Sequence, residues 1–201
     1  MLRSRAALVL VLAVLPALVV YGLVLGLSVG AGIKPILVIR DLPQTCAYPI
    51  GVGMMPSIGI LLWAAAAAIS LFAGCSGLVA SPRWRQLLRV GGVLTTLLAL
   101  DDLFLLHDRY IGQDALYVTY AVLAVFILLR FRDLVLEANA VAFLLAGLCL
   151  GFSVLYDKFQ EVLPWAYAAG QIVEEGAKFI GIACWLLFWW QASARAAKLR
   201  A

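Results

Sequence analysis

Charge is scarce in this chain and histidine almost missing. Of 201 residues, 13% are charged and one, His107, is a histidine. A soluble domain carries about 25% charged residues, and here 65% of the chain is hydrophobic with a mean hydropathy of +1.04. That balance excludes an ordinary soluble domain. With one histidine there is no His-x-x-x-His pair, so a zinc site needing two or three histidines within one chain is excluded. The four cysteines, Cys46, Cys75, Cys149 and Cys184, are scattered without a Cys-x-x-Cys pair, which removes a disulfide framework or redox motif. No glycine-rich phosphate loop and no G-x-S-x-G elbow is present, and Ser153 reads as a packing hydroxyl. No repeat of roughly twenty to fifty residues is visible.

Long apolar runs are what the sequence has in abundance. A run of about 20 apolar residues crosses a hydrocarbon core of ~30 Å, and six such runs fall at about 6–27, 57–80, 87–106, 115–129, 139–156 and 166–190. The pattern predicts an all-α fold, a polytopic transmembrane helical bundle of six spans forming one integral membrane domain over 1–201. The first run follows the basic leader Met1–Arg5 and is too long for a signal-peptide core of about 7–15 residues. It reads as a retained helix. Residues 28–55 form the longest connection, an outer loop whose apolar piece Ile36–Ile39 is too short to span. Gly22, Gly26 and Gly30 repeat at four-residue spacing, a face on which a second copy could pack closely as a homo-oligomer.

The net charge of +4 does not indicate nucleic acid, because the basic residues sit at the ends of the apolar runs. Ten of the fifteen, namely Arg3, Arg5, Arg83, Arg85, Arg89, Arg130, Arg132, Arg195, Lys198 and Arg200, share the side of the N-terminus. The positive-inside rule then makes both termini cytoplasmic and the protein a multi-pass resident of the cell membrane, in a bacterium the inner membrane, with the lipid bilayer as its partner. Trp84, Trp185, Trp189 and Trp190 fit an interfacial aromatic belt. Only Asp133 and Glu137 lie with the bases, so the other nine acids gather toward the outer side. Acids contribute little to orientation, so their sorting needs another cause, such as a vestibule that attracts cations.

Two stretches put ionisable groups inside apolar runs. Leu100–Asp108 reads LDDLFLLHD, and Gln171–Lys178 reads QIVEEGAK. An ionisable group at the centre of a membrane helix costs roughly 2.5–3.5 kcal/mol to insert, so such groups face a protein interior, a partner charge or water. On a straight helix Asp101 and Asp108 lie within roughly 20° of each other, while Asp102 is about 100° and His107 about 120° from Asp101. Gln171, Glu174, Glu175 and Lys178 form one polar stripe, and Lys178 is placed to pair with Glu174 or Glu175 along its own helix. Carboxylates with one imidazole suit a divalent metal ion, and the candidate ligands are Asp101, Asp102, His107, Asp108, Glu174 and Glu175. The same groups could relay protons.

The run Glu174-Glu175-x-x-Lys178 resembles the EExxK element of PrsW-type intramembrane metalloproteases, distant relatives of the CAAX-processing family. The resemblance implies that Glu174 and Glu175 are catalytic and activate water directly or through a metal. It covers about five residues, and it departs from those proteins, in which further helices bearing a Glu-Asn pair and a histidine follow the element, because His107 lies upstream of it here.

The leading expectation is an integral membrane protein with an outward-facing carboxylate site that binds a cation or protons for transport or sensing, with Lys178 and Gln171 as ion-pair or gating residues. The alternatives are a membrane-embedded, metal-dependent hydrolase of lipid or peptide, and an accessory or assembly subunit whose polar residues only hold helices together.

Overall fold

The computed structural model describes residues 11, 14–35, 37, 46–47, 51–159 and 167–198. Among them the regular structure is all helical, without strands. The helices are α1 (Leu15–Gly30), α2 (Met54–Cys75), α3 (Pro82–Phe104), the single turn α4 (Leu106–Arg109), α5 (Gln113–Arg130), α6 (Arg132–Phe159) and α7 (Tyr167–Lys198). The chain divides into two compact units, Met1–Val52 and Gly53–Ala201. In the first, α1 is the described helix, and an added Cβ at Gly22, Gly26 or Gly30 would meet nothing within 4 Å. Residues 36, 38–45 and 48–50 of the connection expected over 28–55, and with them most of Ile36–Ile39, lie outside the described residues, as does the beginning of the run at 6–27.

Three helices of the second unit, α2, α5 and α6, are long and apolar enough to cross a membrane. Helices α3 and α7 are comparable or longer at 23 and 32 residues, but charged side chains interrupt their apolar faces. The ends differ from the apolar runs for local reasons. Helix α2 stops at Cys75, two residues before Gly77, which takes the left-handed conformation at φ 75° and so ends the helix before Ala80. Helix α3 starts five residues earlier than expected because Pro82 occupies its first turn, where a missing N–H costs nothing. Helix α6 is continuous over 132–159 except for a kink at Asn139, whose Oδ1 accepts a hydrogen bond from the Ala142 backbone N–H at 3.0 Å. The apolar run starting at 139 is therefore the part of α6 that follows an Asn cap.

Helix α7 packs most extensively against α6 and α2, and α2 against α3, whereas α5 packs lightly, mainly against α3, α4 and α6. Close approach depends on glycine. A Cβ on Gly91 would overlap the indole of Trp189, and one on Gly92 would come within 2.7 Å of Leu71. Trp84, Trp185 and Trp189 are thereby core residues and not members of an interfacial belt; of the four tryptophans assigned to that belt, only Trp190 is exposed. Their rings belong to one buried cluster with the small residues Ala66, Ala146 and Ala192, and that of Trp189 lies against Gly91.

The outside of the unit is apolar. Leu61, Phe72, Leu129, Leu148 and Ile172 are each more than 60% exposed. Charge gathers at the two ends. At one, Arg83 makes a two-bond pair with Asp133 at 2.7 and 2.9 Å and Arg195 bonds Glu137 at 3.0 Å; at the other, Lys158 bonds Asp114 at 2.7 Å. All three pairs are exposed, and such pairs contribute about 0–1 kcal/mol each.

Candidate functional site

A cavity of about 490 Å³ opens among α2, α3, α5, α6 and α7. Its lining begins near the helix ends with Met55, His107, Asp157 and Gln171 and reaches inward to Leu94 and Trp185. Asp101, Asp102, His107, Gln171, Glu174, Glu175 and Lys178 all face this one space, so the polar stretches of α3 and α7 meet across it. The side chain of Asp108 lies outside what the structure describes.

The geometry around Asp101 differs from that of a straight helix. Helix α3 ends at Phe104, and Leu105 takes the left-handed conformation at φ 52°, ψ 47°. The chain turns back there, and His107 comes round to Asp101. Asp101 Oδ1 accepts the backbone N–H of His107 at 2.9 Å and lies 2.9 Å from its ring Nδ1. The expectation that His107 points some 120° away therefore fails, because it assumed that the helix continued through Leu105. A left-handed leucine costs roughly 1–2 kcal/mol, and the two contacts from Asp101 hold it. Asp101 is 4% exposed, and Tyr120 lines the same cavity. His107 also stacks near Tyr117, with ring centroids 5.3 Å apart.

Lys178 bonds neither glutamate of its own helix. Its Nζ donates to Asp102 Oδ1 at 2.8 Å, while Trp63 Nε1 donates to Oδ2 at 2.9 Å, so each oxygen of Asp102 has one donor. This replaces the expected pairing within α7. It also leaves Glu174 with a different partner: Gln171 Nε2 donates to its Oε2 at 2.9 Å. Glu174 is buried, and Glu175, one residue on, is exposed while still lining the cavity. Asp157 faces the same space and accepts a bond from Gln113 Nε2 at 2.6 Å.

These contacts bear on metal binding. Among the described residues no three His, Cys, Asp or Glu side chains gather closely enough to hold an ion. Asp101 is turned to His107, and Asp102 to Lys178 and Trp63, so both carboxylates face protein donors. Glu174 and Glu175 are adjacent on one helix, one buried and one exposed, without a third ligand beside them.

Several lining residues are not among the sequence candidates: Asp157, Tyr117, Tyr120, Trp63 and Trp185. Asp157 was legible in principle, because nothing between Tyr156 and Phe159 breaks a helix and the first proline beyond is Pro164. The tyrosines and tryptophans carry no such signal. An aromatic residue in an apolar run looks the same whether it faces lipid, core or cavity.

Among the described residues, fold and site together define an all-helical protein with three membrane-length apolar helices and a carboxylate-rich internal cavity. The chain belongs to a family described as a domain of unknown function, DUF8692, whose model matches residues 6–192. No curated protein and no solved structure matches it.

Proposed function

We propose that this is an integral membrane protein of six crossings with both termini cytoplasmic, and that its cavity is an outward-opening site holding a cation or protons, for transport or sensing. The observation that carries the reading is the charge inventory of the cavity. Asp101, Asp102, Asp157, Glu174 and Glu175 line it against one lysine and one histidine, so acids exceed cations by three even with His107 protonated. Charges taken out of water must be paired or neutralised. Two acids have protein partners of opposite or switchable charge, Asp102 with Lys178 and Asp101 with His107. Glu174 is buried with a neutral amide as its partner, so a cation or proton from outside the protein would balance it.

The membrane part of the reading is supported by the exterior. Contiguous exposed apolar surface on this scale marks contact with lipid or another protein, and the charges of α3 and α7 that interrupt otherwise apolar helices line the cavity. The arginine-rich end, with Arg83, Arg85, Arg130, Arg132 and Arg195, supplies the positive side of the topology.

The test is thermal stability in lipid nanodiscs while sodium, potassium or tetramethylammonium replaces one another at fixed ionic strength and pH. A bound cation stabilises as RT ln(1 + [L]/Kd), so wild-type stability is expected to depend on which cation is present and Glu174→Gln to lose that dependence. If stability ignores the cation but rises as the pH falls, and Glu174→Gln flattens the rise, protons are the occupant. Indifference to both in the wild-type protein overturns the reading.

A further inference from the structure

The arginine-rich end of the second unit holds more positive charge than its own acids balance. Arg83, Arg85, Arg130, Arg132 and Arg195 lie there, with Arg89 two turns into α3, and the acids beside them are Asp133, bonded by Arg83, and Glu137, bonded by Arg195. Among the described residues no carboxylate pairs with Arg85, Arg89, Arg130 or Arg132.

Two of these arginines share a recess. Pro82, Arg85, Gln86, Arg89 and Val90 line a groove of about 450 Å³ along α3, and none of the five is an acid. Arg89 is held in place, because its Nε donates to the Gly74 carbonyl at 2.8 Å and so satisfies an acceptor that the end of α2 leaves open. Arg85 stands half-buried four residues earlier on the same face. Like charges at that spacing repel, and an anion seated between them removes the repulsion.

Beyond the groove the same face of α3 turns apolar. At about 100° per residue Val93, Leu97 and Leu100 fall within about 80° of Arg89, and they are 54%, 43% and 40% exposed. From Arg89 to Leu100 is eleven residues, about 16 Å at 1.5 Å per residue, close to one leaflet's share of a ~30 Å hydrocarbon core. Membrane orientation needs only positive charge outside that core. It does not need a recess, a tethered guanidinium and an apolar strip in line.

We propose that this groove seats an anionic phospholipid of the phosphatidylglycerol type, its phosphate between Arg85 and Arg89 and an acyl chain along Val93, Leu97 and Leu100. Guanidinium groups bond phosphate oxygens through two parallel N–H donors. A zwitterionic headgroup brings its own cation beside the arginines, and the groove has no acid to receive it. A phosphatidylglycerol headgroup brings hydroxyls, which the Gln86 amide can bond. The inference rests on the membrane part of the reading above and goes beyond it; what fills the cavity does not enter.

The test is native mass spectrometry of the whole chain, delipidated in dodecyl maltoside and titrated with dioleoylphosphatidylglycerol or dioleoylphosphatidylcholine, with inorganic phosphate as competitor. Saturable binding of the anionic lipid is expected, at least fivefold tighter than that of the zwitterionic one and not displaced by millimolar phosphate. Arg85→Gln is expected to weaken it at least fivefold and Leu97→Ser at least threefold, whereas Arg130→Gln, outside the groove, changes it less than twofold. Should Arg85→Gln misfold, Arg85→Lys, which keeps the charge and loses the parallel donors, is expected to weaken binding at least twofold. Equal binding of the two lipids, or equal loss in the Arg85 and Arg130 variants, makes the effect one of diffuse charge and overturns the proposal. Displacement by inorganic phosphate makes a free anion the occupant and overturns the lipid. If the lipid fails while the chain stays in the membrane fraction after carbonate washing, the site falls and the membrane reading stands; if the chain is washed out, both fall.

Discussion

Removing Lys178 tests the electrostatics most sharply, because its partner lies on another helix. At 2.8 Å and an effective dielectric constant of ~20, the attraction between Lys178 and Asp102 is about 6 kcal/mol. Much of it is offset by the cost of taking both groups out of water, and both side chains keep some exposure. Breaking such a pair from one side costs about 3–5 kcal/mol when burial is complete, so about 2–3 kcal/mol is expected for Lys178→Met at pH 8. That variant leaves Asp102 with the Trp63 N–H alone, in a cavity already rich in carboxylates. Adding Asp102→Asn removes the stranded charge, and the double variant is expected to regain at least half of the loss. The assay is reversible unfolding in mixed micelles for the wild-type protein, both single variants and the double, which isolates the coupling between the two sites. Pairing within α7 gives the opposite pattern: Glu175→Gln would rescue Lys178→Met better than Asp102→Asn does. That result, or a coupling near zero, would refute the reasoning.

Leu105→Gly is expected to be neutral or stabilising by up to about 1 kcal/mol in the same assay, since glycine takes the left-handed conformation freely; Leu105→Val should cost more than 1 kcal/mol. Gly91→Ala should destabilise by about 1–3 kcal/mol or more, because the new methyl overlaps the Trp189 ring, and a compensating Trp189→Phe should recover part of it. Asp101→Asn keeps the shape but weakens the hold on the turn, so the His107 amide is expected to exchange hydrogen at least tenfold faster, while the Ala192 amide in the core of α7 stays unchanged.

Much of the helical layout could be read from the sequence because apolar runs and their breakers are local. Pro82 and Gly77 mark the connection between α2 and α3, and Asn139 marks where the apolar part of α6 begins. The site was legible as two polar stretches, but its wiring was not. Nothing between Asp101 and His107 is a glycine, proline or asparagine, so no residue type announces the left-handed turn at Leu105. The turn is held by a carboxylate reaching six residues ahead, a contact that exists only once the chain has bent. The partner of Lys178 was hidden for a related reason. Helical spacing offers Glu174 and Glu175, whereas packing of α7 beside α2 and α3 brings Asp102, itself held by Trp63, to its ammonium group.

The central claim is that the cavity carries a net negative potential and opens to the side opposite the arginine-rich end. In a background with Cys46, Cys75, Cys149 and Cys184 replaced by alanine, a cysteine at Ser153 places one thiol in the buried lining. Methanethiosulfonate reagents of similar size, one carrying trimethylammonium and one sulfonate, are then added from either side of oriented vesicles. The account predicts modification from the outer side at least tenfold faster by the cationic reagent, with the ratio falling when Glu174→Gln and Glu175→Gln are added. Equal rates, a faster anionic reagent, or reaction only from the cytoplasmic side would contradict it.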